Sequence, residues 1–323
     1  MKYYLKFFLL GVLTLSLGFT ACDKDDDDTV NYAKTLVKYL EQDDFVNTYM
    51  PAMISATDVK TENTAGTAYI IDLRGADAFA AGHIENAVNV TLTDVVNHVE
   101  TTDLTNYNKI VMVCYSGQTA SYATSILRLL GHSNVYCLKF GMCSWHQDFA
   151  GSWPSNISNT YATQLTTDVT EKNATGSLPK FTTSSTDGEG ILDERVDLVL
   201  TEWGDATTTA SAVFANPDDY YIVNYWSEAH YNLGHIPGAI QYTPKASMSL
   251  EADLQTLPTD KTIVVYCYTG QTSAHLTAYL RILGYDAKSL LFGINGMAYD
   301  WAVNNEMTHW DDAYIMGYDY VTE

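Results

Sequence analysis

The apolar residues of this chain alternate between short β-branched runs and longer segments with helical spacing. Residues 110–113 and 263–265 are such runs, and each leads through a glycine-containing loop into a helical segment that ends at Gly131 or Gly284. This alternation predicts an α/β fold in which helices flank a mostly parallel central sheet. Other strands are predicted at residues 68–73, 88–90, 134–139, 220–224 and 288–292, helices at residues 32–45, 76–81, 93–99 and 191–203, and closing helices after residues 140–145 and 296–301.

The pattern occurs twice. Residues 69–74 and 82–87 are matched by residues that lie 152 positions further on, and Cys114 is matched by Cys267 at an offset of 153. Two copies of one unit therefore follow each other in the same register. We predict two domains, joined by a linker rich in Ser, Thr, Asn and Gly. The predicted boundaries are residues 30–150 for the first domain, 151–177 for the linker and 178–323 for the second domain.

Each copy places a cysteine, Cys114 or Cys267, directly after a buried strand. At this end of a parallel sheet, loop N–H groups and the positive end of the next helix converge on one point, which favours an anion. We therefore expect a reactive thiolate whose pKa lies below its ordinary value of about 8.5. The alternative is a buried structural cysteine. The whole Cys-Tyr-Ser/Thr-Gly-Gln-Thr loop is kept in both copies, which favours a functional role.

The N-terminal segment has two lysines, an apolar run at residues 7–19 and small residues before Cys22, as in a secretory signal. The run is short for a membrane span. It resembles a bacterial lipoprotein signal, with residues 1–21 removed, Cys22 lipidated and residues 22–29 forming an acidic, solvated tether. An ordinary secretory peptide cleaved near Ala21 is the alternative. We expect an exported protein that a lipid anchors to the cell envelope, with the outer membrane favoured and its face left open.

Charge narrows the range of partners. The 323 residues include 17 basic and 39 acidic ones, for a net charge of −22, which argues against nucleic acid or anionic lipid headgroups as partners. The cysteines lack metal-ligand spacing, so we expect neither a structural metal nor a cofactor. Cys137 and Cys143 either pair or serve as small buried residues, and we favour the second interpretation. The oligomeric state stays open.

Four motifs together resemble the rhodanese family. They are Asp-x-Arg at residues 72–74, Gly-His-Ile at residues 82–84, the Cys-x-x-Gly-x-Thr loops, and Phe-Gly-Met followed by Trp at residues 140–145. The loops are similar to those of two-domain thiosulfate and mercaptopyruvate sulfurtransferases, which usually keep the cysteine only in the second domain. The resemblance implies that a cysteine takes a sulfane sulfur from a small donor, holds it as a persulfide, and passes it to a thiol or cyanide-like acceptor.

On this resemblance, Cys114 and Cys267 are the nucleophiles. We expect the loop backbones to hold the thiolate and the persulfide, hydroxyls to add donors, and glycines to permit the turn. The expected binding residues are Tyr115, Ser116, Gly117, Gln118 and Thr119 in the first loop, and Tyr268, Thr269, Gly270, Gln271 and Thr272 in the second. Neither loop contains Arg or Lys, and Arg128 and Arg281 follow roughly 20 Å along a helix. Thiosulfate is therefore expected to be a poorer donor than a persulfide or another thiol compound.

The second copy departs from the first where Asn224 and Trp226 replace the Asp-x-Arg pair. We interpret His83 and His235 as scaffold residues rather than general bases.

Competing functions differ in the residues they need. A phosphatase with a related loop needs Cys-x5-Arg to clamp a phosphoryl group, but the sixth residue after each cysteine is Ala120 or Ser273. The sequence therefore argues against a phosphatase of this type. The remaining alternative to an enzyme is a surface-tethered binding module or sulfur carrier on the same fold, because a fold alone does not establish an activity.

Overall fold

The computed structural model describes residues 30–43, 45–48 and 50–323. The predicted signal segment, Cys22 and the acidic tether lie outside these residues. Within the described chain, no helix is both long and apolar enough to cross a membrane.

Short strands and helices alternate along the chain, as the sequence predicts. The strands are β1 (Met53–Ile54), β2 (Ala68–Asp72), β3 (Val88–Asn89), β4 (Lys109–Val113), β5 (Val135–Leu138), β6 (Thr207–Thr208), β7 (Tyr220–Tyr225), β8 (Ile240–Tyr242), β9 (Thr262–Tyr266) and β10 (Ala287–Leu290). The α-helices are α1 (Tyr32–Leu40), α2 (Phe45–Thr48), α3 (Ala56–Thr64), α4 (Ala76–Ala81), α5 (Val95–Thr101), α6 (Gln118–Leu129), α7 (Gly188–Leu200), α8 (Ala210–Ala215), α9 (Glu228–Tyr231), α10 (Gln271–Ile282) and α11 (Tyr299–Asn304).

The strands form two five-stranded sheets of the same topology. Their orders are β1-β5-β4-β2-β3 and β6-β10-β9-β7-β8, and every pairing is parallel. The predicted α/β fold of two tandem parallel sheets is therefore confirmed. β4 and β9 occupy the centre of their sheets and are almost entirely buried. The cysteine after each central strand consequently lies at the carboxyl edge of its sheet.

Two local predictions differ from the structure. The helix expected at residues 32–45 ends at Leu40 and continues as a 3₁₀ turn, Glu41–Asp43. The closing helix of the first repeat is replaced by two 3₁₀ helices, Gly141–Ser144 and Gln147–Ser152. Phe140 there has a positive φ of 65°, and Met142 N–H donates to Cys114 O at 2.9 Å, so the first of these 3₁₀ helices lies against the cysteine loop.

The two repeats share one interior. Residues 31–323 form a single compact unit, in which α6 lies against its counterpart α10, and α1 lies against its counterpart α7. Both α6 and α10 are buried on nearly every side, since each is covered by its own sheet and by the other repeat. Ser125 Oγ donates to His275 O at 2.9 Å across this contact. The helices that follow the two cysteine loops therefore meet directly.

The segment that follows each repeat crosses to the other one. After the first repeat, Thr166 pairs with His235 in an antiparallel bridge. After the second repeat, Val321 pairs with His83 in the equivalent bridge, and Trp145 Nε1 donates to a carbonyl of the same C-terminal segment at 3.0 Å. Each Gly-His-Ile segment is thus covered by chain from the other half.

Candidate active site

The first cysteine loop runs from the end of β4 to the start of α6. Gly117 caps the helix in the left-handed region, with φ of 89°, and this turn directs N–H groups back toward the sulfur. The N–H groups of Gly117 and Ala120 donate to Cys114 Sγ at 3.2 and 3.4 Å. Cys114 itself is only 3% exposed. The sulfur thus lies at the base of a small cradle of backbone donors.

The second loop repeats this geometry between β9 and α10, with Gly270 at φ of 78°. Ser273 N–H donates to Cys267 Sγ at 3.3 Å. A hydroxyl is also present, because Ser273 Oγ lies 3.6 Å from the same sulfur. Cys267 is 1% exposed.

The expectation of a lowered thiol pKa is wrong for Cys114. Burial raises its pKa above the ordinary value, because the thiolate loses hydration. The N–H groups of Ala120, Gly117 and Ser116 act in the opposite direction, and the nearby Asp72 carboxylate adds to the rise. The cradle therefore opposes desolvation without overcoming it.

The side chain of Gln118, expected in the substrate cradle, extends across to the second repeat. Its Nε2 donates to Ser116 Oγ at 3.1 Å, while its Oε1 accepts from Phe292 N–H at 2.8 Å. The Oε1 atom lies so close to Gly270 that a Cβ there would collide with it. The Gln118 side chain of the first loop therefore requires a glycine at position 270 of the second.

Gln271 occupies the reciprocal position, with its amide against Gly117. It is fully buried, and neither amide atom has a hydrogen-bond partner among the described residues. The two cysteine loops therefore approach each other at the interface between the repeats.

The tyrosines after the two cysteines have different environments. Tyr115 is 52% exposed, and the Arg74 guanidinium lies 5.8 Å from the centre of its ring. Tyr268 stacks on Trp226 with ring centroids 5.1 Å apart, and its hydroxyl lies 2.7 Å from His230 Nδ1. The first loop is consequently more open at its surface than the second.

Charge near the two loops also differs. In the first repeat, Arg74 forms a buried ion pair with Asp72, with Nη2 2.6 Å from Oδ2 and Nε 3.0 Å from Oδ1. In the second repeat, Asn224 Nδ2 donates to Tyr266 OH at 2.7 Å instead. A neutral pair therefore replaces the ion pair.

The other predicted loop side chains do not bond the sulfurs in the contacts described. Ser116 Oγ is engaged by Gln118, and Thr269 is buried, while Thr119 and Thr272 are partly exposed on the first turns of their helices. Sequence reasoning missed Ala120 and Ser273, whose N–H groups reach the sulfurs. Their signal was available, because the first turn of a helix leaves its N–H groups free to bind an anion.

The candidate histidines hold the scaffold. His83 Nδ1 lies 2.9 Å from Phe79 O, and His235 Nδ1 lies 2.8 Å from Tyr231 O. Each imidazole also stacks on the ring of the same residue, with centroids 3.7 Å apart.

The remaining cysteines of the described chain are free thiols, so Cys137 and Cys143 are not paired. Burial raises the pKa of Cys137 to about 12 and that of Cys143 to about 11. No group of three His, Cys, Asp or Glu side chains in the described residues is arranged to hold a metal ion.

The family model named Rhodanese-like domain matches residues 55–148 and 214–299, together more than half of the chain. The chain belongs to the rhodanese family. Each match contains one cysteine loop and the central strands of one sheet, so both repeats are rhodanese domains.

Known rhodanese relatives are similar to parts of the chain. Thiosulfate sulfurtransferase GlpE of Shewanella oneidensis is 28% identical over 94 residues, which are 29% of this chain and 91% of that protein. GlpE of Pseudomonas entomophila is 32% identical over 84 residues, or 26% of this chain and 75% of that protein. Sulfur transfer is thus the named activity of these relatives.

Two solved structures span both repeats. Thiosulfate sulfurtransferase of Pseudomonas aeruginosa is 17% identical, with a TM-score of 0.31, and the match covers 87% of this chain and 48% of that one. The 3-mercaptopyruvate sulfotransferase SseA of Escherichia coli is 18% identical, with a TM-score of 0.28, and the match covers 74% of this chain and 97% of that one.

Proposed function

We propose that this rhodanese is a sulfurtransferase in which Cys114 and Cys267 carry a sulfane sulfur as a persulfide. The observation that supports this most strongly is the backbone donors at the two sulfurs, which are the N–H groups of Gly117 and Ala120 on Cys114 and the N–H group of Ser273 on Cys267. Such donors stabilise a thiolate before transfer and a persulfide anion after it.

The reaction has two displacements. A cysteine thiolate attacks the sulfane sulfur of the donor, a new S–S bond forms, and the donor leaves with the electron pair of its former bond to that sulfur. An acceptor thiolate then attacks the terminal sulfur, and the cysteine leaves as a thiolate. No external oxidant or reductant is consumed, because the sulfane sulfur passes unchanged in oxidation state.

The charge around the loops favours a thiol persulfide over thiosulfate as donor. Arg128 Nη1 donates to Val135 O at 2.8 Å, and Arg281 pairs with Glu202 at 2.7 Å, so both cations are engaged at the far ends of their helices. A dianion would approach a chain of net charge −22, and the Arg74 guanidinium beside Tyr115 is already paired with the Asp72 carboxylate.

Mass spectrometry tests the proposal. The reduced protein is incubated with thiosulfate or with a thiol persulfide, and peptide masses are read without reductant. We expect a gain of one sulfur atom, about 32 Da, on the loop cysteines with the persulfide and a smaller yield with thiosulfate. The matched control is Cys114→Ser/Cys267→Ser, which should gain none. Absence of added sulfur on both cysteines of folded, reduced protein would overturn the proposal.

A binding scaffold or sulfur carrier is the second candidate, and the burial that raises the Cys114 pKa favours it. The two candidates differ in turnover. An enzyme releases the loaded sulfur repeatedly to a small thiol such as dithiothreitol, whereas a scaffold takes up no sulfur and a carrier releases it only to a partner protein.

We also propose that Cys22 is lipidated and that the protein is anchored in the cell envelope, on the strength of the N-terminal sequence pattern. The test is metabolic labelling with a fatty-acid analogue in a bacterial host. Label is expected on the full chain and should be lost in Cys22→Ser, and equal labelling of both would contradict the proposal.

A further inference from the structure

The two loops differ at their sixth and seventh positions. The first loop has Ala120 followed by Ser121, whereas the second has Ser273 followed by Ala274. The same two residue types therefore occur in reversed order, and only the second order brings a hydroxyl to the reactive sulfur. Ser273 Oγ lies 3.6 Å from Cys267 Sγ, while Ser121 Oγ donates to Gly117 O at 2.7 Å.

A second hydroxyl supports the first. Ser273 Oγ lies 2.8 Å from Ser289 Oγ on β10, and both are fully buried. The position of Ser289 is occupied in the first repeat by Cys137, whose sulfur lies 3.2 Å from Ser121 Oγ. Two hydroxyls thus line the back of the Cys267 pocket, where the first pocket has a methyl group and a thiol.

The hydroxyls of Ser273 and Ser289 can form hydrogen bonds that suit Cys267 both as a thiol and as a thiolate. In the thiol state, the S–H group donates to Ser273 Oγ, and the serine hydroxyls can donate onward to Gly270 O, at 3.1 Å from Ser273 and 3.5 Å from Ser289. In the thiolate state the chain reverses, so that Ser289 donates to Ser273 and Ser273 donates to the sulfur. Gly270 O keeps a bond from Ala274 N–H at 3.1 Å. Hydrogen bonds in such a chain strengthen one another.

We propose that Ser273, backed by Ser289, stabilises the Cys267 thiolate, so that Cys267 takes up sulfur faster than Cys114 near neutral pH. The proposal rests on the sulfurtransferase function above and assigns the two sites unequal roles. It makes Ser273 a catalytic residue, because its hydroxyl touches the reacting sulfur. The first site has one more N–H donor, since Gly117 N–H also bonds Cys114, but it lacks a hydroxyl at the sulfur.

The two sulfurs also face different charges. Cys267 faces the phenols of Tyr225 on β7 and Tyr268 in the loop, and burial raises the pKa of both, so they are neutral near pH 7. His275 on α10, with a pKa lowered by burial to about 4, is neutral as well. The Tyr268 hydroxyl is also bonded to His230 on α9.

Cys114 instead faces a charged group. The Asp72 carboxylate on β2 opposes its ionisation, with Arg74 paired to that carboxylate. The thiols of Cys137 and Cys143 also lie near it and are neutral at this pH.

Alkylation tests the proposal without requiring sulfur transfer. The reduced full chain is treated with iodoacetamide across a pH series from neutral to alkaline, and the rate at each loop cysteine is read from peptide masses. We expect Cys267 to be alkylated faster than Cys114 near neutral pH in the wild-type protein. Ser273→Ala should slow the alkylation of Cys267 near neutral pH roughly tenfold, because the thiolate loses a hydrogen bond, and leave the rate at Cys114 unchanged.

A variant of the first loop is the control for a loss of folding in Ser273→Ala. Ala120→Ser/Ser121→Ala gives the first loop the residue order of the second, and we expect it to lower the apparent pKa of Cys114. Each variant is first shown to match the wild-type unfolding midpoint in urea. An unchanged rate at Cys267 in folded Ser273→Ala overturns the proposal, as does a wild-type protein in which Cys114 is alkylated faster near neutral pH. Failure of sulfur loading with these rate differences intact overturns the sulfurtransferase function instead.

Discussion

Gln118 Oε1 accepts a hydrogen bond from Phe292 N–H at 2.8 Å, and this bond joins the start of one cysteine-loop helix to the opposite repeat. The equivalent glutamine, Gln271, lies in the mirrored place without a partner for its amide among the described residues. The interface is therefore similar in shape on its two sides but unequal in hydrogen bonding.

Replacing these glutamines should give unequal losses of stability. Gln118→Leu leaves the part-buried Phe292 N–H without its acceptor, so we expect the free energy of unfolding to fall by about 1–3 kcal/mol. Gln271→Leu removes an unsatisfied amide of similar size and should be neutral or stabilising. Urea unfolding followed by tryptophan fluorescence measures both. Equal losses in the two variants would show that the Phe292 bond contributes nothing specific.

Gly117 should tolerate a methyl group less well than Gly131 does. Both glycines have left-handed backbones, with φ of 89° and 96°. A Cβ on Gly117 would meet the Gln271 amide and lie 3.1 Å from Leu138 O, whereas a Cβ on Gly131 would meet nothing within 4 Å. Gly131→Ala therefore carries only the conformational cost, about 1 kcal/mol. We expect Gly117→Ala to lose more in urea unfolding and to slow alkylation of Cys114, an effect that Gly131→Ala should lack.

Removing only one partner of the buried ion pair between Asp72 and Arg74 should strongly destabilise the protein. Arg74→Ala leaves the Asp72 carboxylate buried without its partner, and we expect a loss of about 3–5 kcal/mol of unfolding free energy. In Asp72→Ala/Arg74→Ala no charge remains, so the double variant should lose less than the sum of the two single variants. A thermodynamic cycle of the four proteins measures this difference, and strictly additive losses would contradict it.

Acid should weaken the contact between α6 and α10 through His275. Its Nε2 lies 3.3 Å from Ala52 N and acts as the acceptor, so the folded protein holds the imidazole neutral, with a pKa lowered by burial to about 4 from 6.5. Between these values the unfolded chain binds more protons than the folded one. Stability should therefore fall as the pH falls from 6.5 toward 4, by up to about 3 kcal/mol, and this group should have no effect above that window.

The matched variant for this prediction is His275→Gln, which keeps a polar side chain but does not titrate. Its unfolding free energy should lose this part of the pH dependence between 6.5 and 4. Identical slopes in the wild-type protein and the variant would assign the acid sensitivity to other groups.

The sequence was informative where one repeat could be compared with the other. The periodicity of residues 110–113 and 263–265 located the central strands, and the matched cysteines located both loops. The strands β1 and β6 were missed because each has only two residues, which pair with a neighbouring strand but show no hydrophobic period of their own. The equally short β3 was predicted, because it lies in the run of residues 88–90, where Val88 and Val90 are apolar.

The prediction that the Cys114 pKa is lowered was wrong for a reason that the local sequence pattern does not contain. Loop donors and the helix terminus follow from sequence, but the desolvation that raises the pKa depends on how completely both repeats enclose the sulfur. The direction of Gln118 depends on the same packing, because its acceptor role requires Phe292 from the other repeat. The spacing of residues along the sequence predicts neither the enclosure of the sulfur nor the direction of the Gln118 side chain.

The crossed bridges of Thr166 with His235 and of Val321 with His83 are what two separate copies would form as a dimer that exchanges its tails. Such a dimer dissociates on dilution, whereas two halves on one chain stay at a high effective concentration however dilute the protein is. In a single chain the two halves can also differ in sequence, because a substitution in one half is not repeated in the other. Ala120 and Ser273 differ here, as equivalent residues in a dimer of two identical chains could not.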